Sequence, residues 1–151
     1  IHEETLKRVA NEYGVKVVGL DEIYDVPMDI YAPCALGATV NDDTINRLKC
    51  SIIAGAANNQ LANEKVHGQL VKDKGIIYAP DFALNAGGVI NCYSEVANLP
   101  AEWSMRKAEE IYTTIGNIVS RSNAEGVPTY QIANKMAEER IESIGKVKLP
   151  L

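Results

Sequence analysis

Three segments concentrate side chains and backbone suited to holding a ligand: Pro33-Cys34-Ala35-Leu36-Gly37-Ala38, Gly55-Ala56-Ala57-Asn58-Asn59-Gln60, and Pro80-Asp81-Phe82-Ala83-Leu84-Asn85-Ala86-Gly87-Gly88. Small residues let a ligand approach backbone amides. Asn58, Asn59 and Asn85 add uncharged donors and acceptors, suited to an amide ring substituent or an amino-acid headgroup. Asparagine and glycine are also ordinary turn and cap residues, and one such segment alone would carry little weight. Three in succession, each directly following an apolar run, point to a site.

Other chemistries fail on spacing. A dinucleotide fingerprint needs glycines two and then three residues apart, and the eleven glycines never fall two apart. No G-x-x-x-x-G-K-[S/T] phosphate loop is present. His2-Glu3-Glu4-Thr5-Leu6 begins like a zinc-binding helix but lacks the second histidine, and His67 is the only other one. A solvated or capping role is the better reading for both, so no metal is expected. Cys34, Cys50 and Cys92 are widely spaced with no histidine partner in view, which favours packing or backbone roles over nucleophilic ones.

The elements that must position these segments alternate. Leu6, Val9 and Tyr13 stand at helical spacing, with Gly14 as a stop. Four short apolar runs follow as strand candidates: Val15–Val18, Asp29–Ala32, Cys50–Ala54 and Ile76–Ala79. Between them, Asn41 reads as the cap of a helix burying Ile45 and Leu48, and a second helix is expected over Asn59–Lys72 with Gly75 beyond its end. This βα alternation predicts a parallel sheet buried on both faces. After Pro80, helices are expected over Asn85–Asn98, from Trp103 to about Glu125, and from Tyr130 to about Ile144. The last would turn Tyr130, Ala133, Ala137, Ile141 and Ile144 inward. In open parallel sheets, ligands bind outside the carboxyl ends of the strands, where all three segments lie.

Composition narrows the class. The 151 residues are 46% hydrophobic and 23% charged, with fifteen Lys and Arg against twenty Asp and Glu for a net charge of −5. A globular domain of acidic character is a poor binder of nucleic acid or of anionic membrane through bulk electrostatics. No apolar stretch approaches the ~20 residues of a membrane span. Three unpaired-looking cysteines and a polar start without a signal peptide suit a reducing, cytoplasmic location. No internal repeat, low-complexity run or interdomain linker appears.

The blocks DIYAPCALGATVNDDTINRL, IIAGAANNQL and GIIYAPDFALNAGGVIN closely resemble the cofactor domain of the amino-acid dehydrogenases that include the leucine, valine, phenylalanine and glutamate enzymes. The likeness runs over essentially the whole chain. It implies NAD-dependent oxidative deamination, in which hydride passes from the amino acid's α-carbon to nicotinamide and the imine is hydrolysed to a 2-oxo acid and ammonia. By the same resemblance Cys34 and Ala35 lie beside the cofactor's ribose. Asn58 and Asn85 lie near the nicotinamide, and Asn59 by the substrate headgroup. Val89 and Cys92, three residues apart on one helical face, would line the pocket for the substrate side chain. Glutamate enzymes place a serine where Cys92 stands, so this apolar pair suggests a branched aliphatic substrate.

Members of that family carry a separate N-terminal domain holding the catalytic lysine and aspartate, and the glycine fingerprint opens their cofactor domain. All of these would precede Ile1. The resemblance therefore implies an α/β, partial Rossmann-like, mostly parallel sheet with helices on both faces. Residues 1–100 would be a truncated NAD-binding domain, and residues 101–151 a helical segment packed on it. No catalytic residue is expected here, and the isolated chain should be inactive. Val15–Val18 and Asp29–Ala32 should expose unpaired edges, unless a missing N-terminal domain or a partner copy in a homo-oligomer covers them. Two rival readings are a non-catalytic binding or oligomerisation module, and a phenylalanine-type dehydrogenase distinguished only by pocket volume.

Overall fold

In a computed structural model, residues 2–145 are described. Helix α1 spans Glu3–Tyr13 and ends at Gly14, whose φ of 65° is the left-handed conformation that glycine adopts without penalty. A 3-10 turn, Glu22–Asp25, leads to strand β1, Ile30–Tyr31. Strand β2 is Ile52–Ile53, helix α2 Glu64–Asp73, and strand β3 Ile77–Tyr78. Four helices complete the chain: α3 Asp81–Leu84, α4 Gly87–Val96, α5 Ala101–Glu125 and α6 Thr129–Gly145.

The three strands are parallel in the order β1-β2-β3, with Ile30, Ile52 and Ile77 in one register row and Tyr31, Ile53 and Tyr78 in the next. The second row is buried and closes a core with Val40, Ile45, Leu48, Cys50, Leu61, Val71 and Ile76. The first row is more open: Ile30 is 52% and Ile77 42% exposed. The sheet is therefore deeply buried on one face rather than on both. A second core joins Ile118 of α5 to Ile132 and Ala133 of α6, with Ala83, Ile115, Val127 and Met136 around it.

Val15–Val18 forms no strand. β-Branched residues favour the extended state mainly by packing on a pleated neighbour. Here β1 is an edge strand paired only to β2, and Val15 and Val17 are exposed. Residues 41–47 form consecutive turns instead of a regular helix, although the Asn41 cap is present: its Oδ1 accepts from the N–H groups of Asp43 and Thr44 at 3.0 and 3.1 Å. Ile45 and Leu48 are buried as expected. Helix α2 begins at Glu64, later than Asn59. Asn63 is its cap, accepting from Lys65 and Val66, while Leu61 bridges Val40 ahead of it. In α6 the buried face is Tyr130, Ile132 and Ala133, whereas Ala137, Ile141 and Ile144 are exposed. The inward assignment of those three followed a spacing that holds only for the first turns.

His67 takes a capping position at the start of α2. It is buried, its Nδ1 accepts from Asn63 N–H at 2.8 Å, and its Nε2 faces Asp42 Oδ1 at 3.2 Å. Among the described residues no cluster of three metal-ligating side chains occurs, and no helix is long and apolar enough to cross a membrane.

Candidate functional site

All three small-residue segments begin at the carboxyl ends of β1, β2 and β3, because the parallel register carries each strand outward on the same side. Backbone bonds then lace them together. Ala57 N–H donates to Pro33 O at 3.0 Å, Ala38 N–H to Asn59 O at 2.7 Å, and Val40 N–H to Gln60 O at 3.0 Å. The first two segments lie so close that a Cβ at Gly55 would run into the Pro33 backbone, and one at Gly37 would meet Asn58 O at 2.5 Å. Glycine is required at both positions by proximity, not by backbone angle.

The side chains continue the lacing. Asn85 Nδ2–H donates to Asn58 Oδ1 at 2.5 Å and to Ala56 O at 3.3 Å, joining the segment after β3 to the one after β2. This bond sets the amide orientations, and among the described residues the Asn58 NH₂ and the Asn85 carbonyl oxygen take no other partner at the rim. Asn59, exposed and at φ 52°, adopts the left-handed conformation that asparagine tolerates better than most residues. Ala56 N–H reaches Cys34 Sγ at 3.5 Å, so the exposed Cys34 thiol also sits against the second segment. Ala35 is exposed beside it.

Beneath the rim lies a buried polar layer that the sequence reading missed. Asp81, 8% exposed, accepts from Gln60 N–H at 2.9 Å on Oδ2 and from Phe82 N–H at 2.6 Å on Oδ1. Gln60, wholly buried, donates from Nε2 to Gly55 O at 2.5 Å and to Ala57 O at 3.0 Å. Its Oε1 has no partner among the described residues. Tyr78 Oη accepts from Asp81 N–H at 3.3 Å. Burial, and then the nearby Asp81 charge, push the Tyr78 hydroxyl above its ordinary range, which keeps it protonated. The same two causes raise the Glu64 carboxyl. Asn58, Asn59, Leu61, Glu64, Tyr78, Asp81 and Phe82 line a cleft of about 360 Å³. The signal in the sequence was an acidic residue immediately after a strand and its proline, at a position where a carboxylate is normally solvated.

Val89 and Cys92 stand apart from this cluster. They lie on α4, both exposed, three residues apart as the helical spacing requires, and they do not line the cleft. The structure thus brings Cys34, Asn58, Asn59 and Asn85 together and leaves Val89 and Cys92 on an open helical face.

Comparison with known proteins places this architecture. The sequence model of the Glutamate/Leucine/Phenylalanine/Valine dehydrogenase family matches residues 2–147. Leucine dehydrogenase of Thermoactinomyces intermedius is 49% identical over 148 residues, covering 98% of this chain and 40% of that protein. Leucine dehydrogenase of Bacillus subtilis is 49% identical over 142 residues, covering 94% of this chain and 39% of its own length. The crystal structure of L-tryptophan dehydrogenase from Nostoc punctiforme superposes with a TM-score of 0.89 at 43% identity, over 93% of this chain and 42% of that one. A hetero-hexameric glutamate dehydrogenase from Thermus thermophilus shares the fold, with a TM-score of 0.69 at 17% identity over 98% of this chain and 38% of that one. The chain spans about 40% of the length of the leucine dehydrogenases it matches. With the family matched from end to end and three loops laced at the strand termini, the chain belongs to the Glutamate/Leucine/Phenylalanine/Valine dehydrogenase family.

Proposed function

We propose that this chain is the cofactor-side portion of an NAD-dependent amino-acid dehydrogenase that oxidatively deaminates leucine or another branched-chain L-amino acid. The observation that carries the reading is the Asn85–Asn58 amide pair at the meeting point of the loops. Its free NH₂ and free carbonyl are the complement of a carboxamide such as that of nicotinamide, and the surrounding residues are small enough for a flat ring to approach. The residues present therefore fit the nicotinamide end of the cofactor. In this reading these residues contribute the nicotinamide end of the site and not the pyrophosphate end, for which they carry no glycine fingerprint.

In this reading residues 1–100 are the later part of an NAD-binding domain and residues 101–151 the helical segment packed on it. Asn58 and Asn85 bind and orient the carboxamide, while Cys34 and Ala35 border the ribose. Asn59 holds the substrate headgroup by hydrogen bonds, and Val89 and Cys92 supply an apolar wall for its side chain. Nicotinamide, when bound, supplies the acceptor for the hydride lost from the substrate's α-carbon. A lysine and an aspartate in a separate catalytic domain handle the protons, so this chain alone gives no turnover. The exposed apolar residues Val96, Tyr112, Ile141 and Ile144 suit burial against that domain and against further copies in a homo-oligomer. Three free thiols, two of them exposed, suit a cytoplasmic location.

The test is amino-acid-dependent NADH formation by the protein that carries this chain, with L-leucine, L-valine, L-phenylalanine, L-tryptophan and L-glutamate in turn. Turnover greatest with leucine or valine, yielding the 2-oxo acid and ammonia, is expected. Absence of amino-acid-dependent NADH with every substrate refutes the reading. The high similarity to a tryptophan dehydrogenase favours an aromatic substrate as the second reading, and the same panel separates the two.

A further inference from the structure

Asn58 is exposed and Asn85 half-buried, yet the bond between their amides needs tenths of an ångström. Something beneath must hold the two loops in register. The segment after β2 is joined to the segment after β3 by two kinds of tie: the amide pair at the rim, and the Asp81 carboxylate in the buried layer. Asp81 spans the two, accepting from Gln60 N–H with one oxygen and from Phe82 N–H with the other. Gln60 in turn pins its own loop from within, through Gly55 O and Ala57 O. Asp81 is buried, both its oxygens are engaged by backbone donors, and Tyr78 steadies its own N–H. It is also four residues from Asn85, whose N–H donates to Asp81 O at 2.8 Å, so it anchors the turn that presents that asparagine.

Resting on the cofactor reading above, we propose that Asp81 is the positioning residue of the nicotinamide end of the site. It acts through Gln60 on Asn58 and through the α3 turn on Asn85. A carboxylate suits this position because two N–H groups converge on it. An asparagine of the same shape turns an NH₂ toward one of them, and that tie becomes a donor facing a donor. The loops would then part at the rim while the strands and both cores stay packed.

The experiment measures direct binding of NADH and of ADP-ribose, which lacks the nicotinamide, to the protein that carries this chain. Asp81→Asn is expected to weaken NADH about tenfold and leave ADP-ribose unchanged. Ser122→Ala, which removes a bond from α5 to Val127 O and touches neither Asp81 nor Gln60, should lower the melting temperature without separating the two ligands. If Asp81→Asn does not fold, Tyr78→Phe, which removes the acceptor for Asp81 N–H together with the hydroxyl's interaction with the Asp81 carboxyl, decides the matter with a selective loss of about threefold in NADH affinity. Equal weakening of both ligands by the folded variant, or unchanged NADH affinity, overturns the positioning role. Failure of the wild-type protein to bind NADH at all overturns instead the cofactor reading on which it rests.

Discussion

Asn85 Nδ2–H donates to Asn58 Oδ1 across 2.5 Å, tying two loops that lie 27 residues apart in the chain. Neither amide is anchored as well alone, so their contributions are coupled. Asn58→Ala and Asn85→Ala should each weaken NADH binding. The double variant should lose less than the sum, with a coupling of roughly 0.5–3 kcal/mol in a double-mutant cycle. Additive losses would mean that the two amides act independently.

The close approach of the first two loops can be tested by volume. Gly55→Ala drives a Cβ into the Pro33 backbone and should destabilise the protein by ~1–3 kcal/mol in urea denaturation. Gly116→Ala, in the middle of α5 with open space around it, should instead stabilise by ~0.5–1 kcal/mol. Equal effects at the two positions would remove the argument that the loops are packed backbone to backbone.

Substrate choice should respond to the open face of α4. Cys92→Ser should shift the ratio of kcat/KM for leucine and glutamate toward glutamate by ~1–3 kcal/mol at most, with Val89→Ser acting in the same direction. Unchanged ratios in both variants would show that this face does not meet the substrate.

Arg47 latches the Glu22–Asp25 turn onto the core. It donates to Asp21 at 2.8 Å and to Asp25 at 2.7 Å, and it lies 5.4 Å from the centre of the Tyr24 ring. Hydrogen bonds from Arg47 hold both carboxyls below the usual carboxylate range. Carboxyls with depressed values stabilise the folded state above their unfolded values, and that contribution is lost as pH falls through the depressed ones. Acidification below about pH 4 should therefore destabilise the wild type more than Arg47→Gln in urea melts. Because these groups are exposed, added salt should shrink the difference. Parallel acid profiles would show that the latch contributes nothing.

Much of this was legible in the chain. Apolar runs placed β1, β2 and β3, helical spacing of apolar residues found α1, α5 and α6, and the Gly87-Gly88 opening with Pro100 beyond found α4, because these signals are local in the chain. That Cys34, Asn58, Asn59 and Asn85 come together was legible because loops at the carboxyl ends of parallel strands must gather on one side. Val15–Val18 misled because a strand needs a neighbour, and sequence pattern does not report whether one is present. The start of α2 was read early because Leu61 is buried through a bridge to Val40, not through a helix. The Asp81–Gln60 layer escaped notice because burial of a polar pair depends on which loops meet, a relation fixed only by the sheet.

We propose that the loops after β1, β2 and β3 hold the nicotinamide end of the cofactor. A crystal structure of the protein that carries this chain, with NAD bound, tests it most directly. The carboxamide is expected within hydrogen-bond reach of Asn58 and Asn85, with the ribose beside Cys34 and Ala35. A nicotinamide ring seated away from the Asn58–Asn85 pair would contradict the account.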